Sequence, residues 1–409
     1  MGILDAPSKP KLPKSHRHVF SPAVEQVSQA NNVAGLTFRA AHRFKSSPRA
    51  VRLMFHNFLA TDITYAQTGA STNSVLTTAL APAVSNQWQN GGPVTVPARQ
   101  ADNQPSTAFS DWITVYPVED AANPGCYIVL VSCYLEAAYA NYPANSYASS
   151  WMESAAPAAA ADWFLRQQSG DQITTPGTFS SATVQNRSPI SGIEAICDDG
   201  SVVVLGVGDS IMSGAGGTNQ GETDLYMACA EINADGDRVS YINGGWGGQN
   251  TTTYCTRALY MLDKIRPDTL VLSVGSPNDG TPSVTGTRLQ RYWITKVMDF
   301  AKSINCRVVL RGWAPNTSNS WAEGTVTPTD VGAVSGDAWR RAQNVWAASR
   351  AGKSGIRYAA GPAVLGNGAT PERYDPALTT DNNHPNTAGY TTAKVSLKPV
   401  IKVAASDFF

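Results

Sequence analysis

Ser210 closes the stretch Ser201-Val-Val-Val-Leu-Gly-Val-Gly-Asp-Ser210, which carries the strongest chemical signal in the chain. A serine hydroxyl acts as a nucleophile only when a base takes its proton and hydrogen-bond donors await the developing oxyanion. One base is on offer, because His384 is the only histidine after position 200, and Asp381 stands three residues before it. That spacing is about one turn, close enough for the carboxylate to hold the ring's Nδ1–H while Nε2 faces the serine. Pro385 biases His384 towards an extended backbone and can open a following helix. Alone, Asp-x-x-His-Pro is equally a surface loop before a helix cap. Joined to a serine, it supplies the base and the orienting carboxylate that a nucleophilic hydroxyl needs.

Elements must bring these groups together. Val202 to Leu205 form a β-branched apolar run, read as a buried strand that turns at Gly206, Gly208 and Asp209. Ser210 then sits at the strand's carboxyl end, where ligands bind in open α/β sheets. Three further stretches end at the same expected edge. Asn243-Gly-Gly-Trp-Gly-Gly-Gln-Asn-Thr-Thr252 follows a short strand and precedes a helix, so its glycines allow backbone N–H groups to point into a site. Gly275-Ser-Pro-Asn-Asp279 follows the strand Thr269–Val274, and Asp381-Asn-Asn-His-Pro385 precedes the last helix. Helical spacing over 252–265, 289–304 and 339–346 alternates with strands at 307–311 and from Ile356, which predicts an α/β fold with a parallel sheet covered on both faces.

These four stretches, in this order, resemble the sequence blocks of the SGNH/GDSL hydrolase family over roughly residues 201 to 405. The resemblance implies a three-layer αβα, flavodoxin-like sheet and ester hydrolysis through an acyl-enzyme, with no metal and no organic cofactor. It implies Ser210 as nucleophile, His384 as base and then acid, and Asp381 as its orienting carboxylate. The oxyanion donors it implies are the N–H of Ser210, the N–H of Gly248 (five positions after Asn243) and the side-chain amide of Asn278. Two positions depart from the family pattern. Ser276-Pro277 precede Asn278 where Gly-x is usual, and Ile211 replaces a leucine; both bear on pocket shape rather than on a catalytic group.

The rest of the chain sets the context. At 409 residues, two domains are expected. Residues 1–33 are polar and basic and read as a flexible arm. Residues 34–149 show short strands between turn clusters, among them 36–40, 50–58, 74–76, 93–96, 111–116 and 126–134, which suggests an all-β, jelly-roll-like sandwich. Within it Val51, Leu53 and Phe55 alternate with Arg52, Met54 and His56, the period of a half-buried strand. His42 and His56 lack clustered carboxylates or thiols and read as structural. Residues 150–200 read as a connection, with a short helix near Ala155, and 201–409 as the catalytic domain. The six cysteines contain no C-x-x-C pair, so buried free thiols are expected rather than a zinc site.

Charged residues are 15 % of the chain and balance at 31 against 31, which argues against nucleic acid or an anionic membrane surface as partner. No apolar run suits a membrane span, and the first residues lack a secretory layout. The β domain, together with Trp246, Trp313 and Trp321 near the blocks as surfaces for sugar stacking, tilts the expectation to a carbohydrate O-acetylesterase. Its partner would be an acetylated glycan or small ester, met outside the cell or on a virion. A general short-chain esterase or lipase is the alternative, and a non-catalytic glycan-binding protein on a hydrolase scaffold is the competitor from another class. The oligomeric state is not legible.

Overall fold

A computed structural model describes residues 17–20, 26–31, 35–44, 46–73, 89–100, 105–116, 127–146, 165–169, 183–184, 187–197, 200–218, 223–280, 283–315, 336–353, 355–368, 372–379, 381 and 383–406, with Glu119, Pro124 and Gly125 as isolated positions. The expected strand at 74–76, the helix near Ala155, Cys126 and Trp321 lie outside these residues.

The second half of the chain is a parallel sheet of β1 (Val202–Gly208), β2 (Val239–Gly245), β3 (Thr269–Ser273), β4 (Arg307–Arg311) and β5 (Ile356–Ala359), in the order β2-β1-β3-β4-β5. The interleaved helices are α1 (Ser210–Ser213), α2 (Asp224–Ala234), α3 (Thr251–Ile265), α4 (Val284–Ser303), α5 (Gly336–Ala348) and α6 (Thr387–Ser406). Strand alternation decides which helices cover which face. Val203, Leu205 and Val207 of β1 pack with Ala258 and Leu262 of α3, Val297 of α4 and Trp339 of α5. Val202 and Val204 turn the other way, onto Leu225 and Ile232 of α2 and Leu397 and Ile401 of α6. Three layers result, with both faces of the sheet dry. The order reverses beside β1, which is the switch point where such sheets bind ligands.

The first half is antiparallel. One sheet runs through strands Arg17–Phe20, Ile190–Cys197, Pro48–Asn57 and Ser106–Phe109, with Ile113–Thr114 also on Pro48–Asn57. A six-stranded sheet orders Thr183–Val184, Leu165–Ser169, Leu36–Phe44, Tyr127–Leu135, Ile63–Asn73 and Gln89–Val96. Both contribute to a single core, in which Val51, Leu53 and Ile193 of the first meet Phe38, Tyr65 and Val131 of the second. A third sheet pairs Tyr139–Ser146 with Gln26–Asn31 and Arg187–Ser188. Five described cysteines are buried, namely Cys133, Cys197, Cys229, Cys255 and Cys306.

Three expectations need correction. The basic segment read as an arm contains Arg17–Phe20 and Gln26–Asn31, both paired into sheets, and the segment read as a connection contains Leu165–Ser169 and Ile190–Cys197. Each of these strands has a partner more than 100 positions away, which no local signal reveals. Nor is Pro48–Asn57 half-buried, since Met54 and His56 on its outward face are buried too. The parallel half of the chain supplies the cover: Met54 belongs to the same core cluster as Val203, Tyr254 and Leu262.

Candidate active site

Ser210 is placed by tight packing at the end of β1. Gly208 has no room for a side chain, because a Cβ there would stand 2.5 Å from Ser273 Oγ and 2.9 Å from Met212 Cβ. Asp209 caps α1, its Oδ1 accepting the Ile211 N–H at 3.0 Å. Burial pushes the Asp209 carboxyl up, opposed by the Ile211 N–H that it accepts and by the Arg311 charge. Ser210 thereby opens a one-turn helix that Gly214 ends in the left-handed region at φ 95°.

His384 arrives from the other end of the chain. Its Nε2 lies 2.9 Å from Ser210 Oγ, and its Nδ1 lies 2.6 Å from Asp381 Oδ2. With the carboxylate accepting from Nδ1–H, Nε2 is left to accept the serine proton. The other carboxylate oxygen, Asp381 Oδ1, accepts the backbone N–H groups of Asn383 at 2.9 Å and His384 at 2.7 Å. Burial acts to raise the Asp381 carboxyl, but these bonds and the His384 side chain outweigh it and hold it below its ordinary range. Tyr390 of α6 ties the loop to the helix that Ser210 opens, its hydroxyl donating to Ile211 O at 3.0 Å or Ala215 O at 2.8 Å.

The two remaining blocks knit into each other. Trp246 N–H donates to Gly208 O at 3.2 Å, so the glycine-rich loop leaves β2 directly beside the serine turn. Gly248 takes φ 73°, which favours glycine, and its side-chain direction is open. Ser276 caps the turn Pro277–Asp279, accepting the Asn278 N–H at 3.1 Å and donating to Gln249 O at 2.9 Å. The departure from Gly-x at this block therefore supplies a cap. Asn278 is exposed, and its Nδ2 points to Ser276 Oγ at 3.1 Å and Gln249 O at 3.3 Å. Asp279 accepts from Ser276 N, Thr251 N and Thr251 Oγ1, each at 2.7 Å. Burial raises its carboxyl to about 6 against those donors.

The structure thus brings Ser210, His384 and Asp381 into one hydrogen-bonded line, with the loops of Gly248 and Asn278 linked through Gln249. Of the tryptophans expected to stack on sugar, Trp246 is half-buried beside the site. Trp313 is not available for stacking. It is 2 % exposed, edge-on to Trp339 at 5.3 Å, and its ring fills the space above Gly275, where a Cβ would overlap it. Its position just past β4 suggested a site residue, whereas the bulk of an indole was needed for the core.

Three positioning groups escaped the sequence reading. Gly216 lies against the His384–Pro385 backbone, and Tyr390 is described above. Arg257 is buried on α3, donating to Gly208 O at 2.7 Å and to the Gln249 side chain, with its guanidinium 5.6 Å from the Trp246 ring. Its signal was visible: a lone cation amid the apolar positions Tyr254, Ala258, Met261 and Leu262 of one helix face.

Residues 207–392 match the model of the GDSL-like lipase/acylhydrolase family. No curated protein matches the chain. Among solved structures, a GDSL-like lipase from Bacteroides thetaiotaomicron is 18% identical, with TM-score 0.37, covering 50% of this chain and 89% of that one. A psychrotrophic esterase from Pseudoalteromonas sp. is 15% identical at TM-score 0.34, covering 50% and 98%. A family 3 carbohydrate esterase from Clostridium thermocellum is 16% identical at TM-score 0.36, covering 51% and 100%.

Proposed function

From the premise that residues 207–392 are a GDSL-like lipase/acylhydrolase domain, and the chain therefore an ester-hydrolysing enzyme, we propose that it removes acetyl groups from carbohydrate esters. The observation that carries the chemistry is the unbroken line Asp381–His384–Ser210, at 2.6 and 2.9 Å. His384 Nε2 takes the Ser210 proton as Oγ attacks the acetyl carbonyl carbon. Asp381 holds the tautomer and steadies the imidazolium that forms. The oxyanion collapses, the C–O bond to the sugar breaks, and His384 returns the proton to the departing hydroxyl. Water, deprotonated by the same nitrogen, then attacks the acyl-serine and releases acetate. The N–H groups of Ser210 and Gly248 and the amide of Asn278 are the donors assigned to the oxyanion. Asn278 would take that role by turning its exposed amide from Ser276 Oγ and Gln249 O to the substrate.

The sugar portion of the reading rests on Trp246 at the rim, on the neutral overall charge and on the accompanying β domain. The test is acetate release from p-nitrophenyl acetate and a panel of acetylated glycans, wild type beside Ser210→Ala. Activity on an acetylated glycan that disappears in the variant supports the proposal. Activity confined to longer acyl chains favours a lipase instead. Wild type inert towards every ester points to a glycan-binding protein on a hydrolase scaffold.

A further inference from the structure

We infer that Phe58, from the β domain, joins Trp246 in an aromatic wall beside Ser210 that receives the ring of the ester's alcohol portion; this deepens the carbohydrate-ester reading above and rests on it. The two rings meet edge-on, with centroids 5.6 Å apart and planes at 69°. Trp246 stands at the site because Gly245 pairs with Gly208 and the Trp246 N–H donates to Gly208 O at 3.2 Å, two residues before the nucleophile. Gly248, assigned to the oxyanion, follows two residues after the indole.

The wall is rigid from both sides. Behind the indole sits the buried Arg257 guanidinium, 5.6 Å from the ring and itself fixed on Gly208 O at 2.7 Å. Phe58 follows directly on the strand Pro48–Asn57, and the Asn57 side chain locks the turn it sits in. Asn57 Nδ2 donates to Thr61 O at 2.8 Å and to Pro97 O at 3.0 Å, and its Oδ1 accepts the Leu59 N–H at 2.9 Å. The β domain is pinned to α3 nearby, where the Thr107 N–H donates to the Tyr260 hydroxyl.

Exposure separates a wall from a weld. Met54 of the same strand, which only joins the two halves, is wholly buried, whereas Phe58 and Trp246 each keep part of their surface open. An edge-on aromatic pair that keeps part of its surface open can pack against a ring bearing C–H groups. The wall is assigned to the alcohol side of the ester, where such a ring sits.

The experiment compares kcat/KM of wild type, Phe58→Ala and Phe58→Leu on xylose tetraacetate, p-nitrophenyl acetate and ethyl acetate, with circular dichroism to establish folding. Phe58→Ala is expected to lose about 10-fold on the two ring esters, mostly in KM, and to stay within about 2-fold on ethyl acetate. Phe58→Leu, which keeps the bulk against Trp246, should fall between. Equal losses on all three esters, or no loss on any, overturn the wall. If wild type spares xylose tetraacetate but cleaves p-nitrophenyl butyrate, the sugar reading fails on its own; the wall then stands or falls on the same contrast between p-nitrophenyl and ethyl esters. No turnover of any ester overturns both.

Discussion

Gly216 lies so close to His384 that a Cβ built on it would stand 2.8 Å from the histidine Cβ and 2.5 Å from the Pro385 carbonyl oxygen. Its φ of 88° is also one that L-residues rarely adopt. The loop after the helix of Ser210 thus presses on the segment carrying His384, the proposed base. Gly216→Ala is expected to displace His384 and lower kcat by about 100-fold, as misplacements near 1 Å do. Gly236→Ala is the control: it shares the left-handed strain (φ 99°), meets open space and stands after α2. It should lose thermal stability through that strain alone and keep its activity. Equal kcat in the two variants would refute the positioning role.

Removing Ser210 or His384 should cost about 10⁶-fold in kcat, and the double variant scarcely more, because the groups act as a unit. Asp381→Asn is expected to lose less, about 10²- to 10⁴-fold, since the Asp381 side chain is 48 % exposed and water supports the imidazolium in its place. Single-turnover kinetics with p-nitrophenyl acetate would measure all four variants.

Asn278→Ala should lower kcat by about 10²- to 10³-fold with KM nearly unchanged, the mark of a donor used only in the transition state. A loss confined to KM would remove Asn278 from the oxyanion set.

His56 makes stability depend on pH. Burial first, and the Arg257 charge second, lower its pKa from 6.5 to about 4. Between those values the unfolded chain binds the extra proton, so the contribution is complete above pH 6.5 and drains away as pH falls towards 4. The full span corresponds to about 3 kcal/mol. Urea unfolding at pH 7.5 and 4.5 should show wild type losing about that much more than His56→Gln. Parallel slopes for the two proteins would exclude it.

The catalytic half was largely legible because its signals are local. β1, α3, β3 and β4 announce themselves by apolar period, and Asp381, His384 and Ser210 by type and spacing. What stayed hidden depends on contacts between distant segments. Residues 17–20 are strand only because Ile190–Cys197 lies beside them, pairing Arg17 with Ile196. Trp313 looks the same in sequence whether it faces sugar or Trp339. Phe58 follows an ordinary strand, and nothing in its neighbours points to a tryptophan 188 positions on; that proximity is made by docking the two halves.

Met54 has a consequence for synthesis. The β domain emerges from the ribosome first, yet this wholly buried methionine belongs to the core built around Val203, Tyr254 and Leu262. Until those residues follow, one face of a finished sandwich carries an apolar patch without its cover, of the kind that draws nascent chains into aggregates. Expression yield should therefore suffer when translation is cut short after residue 200, and Met54→Lys should restore the yield of that fragment while ruining the full chain.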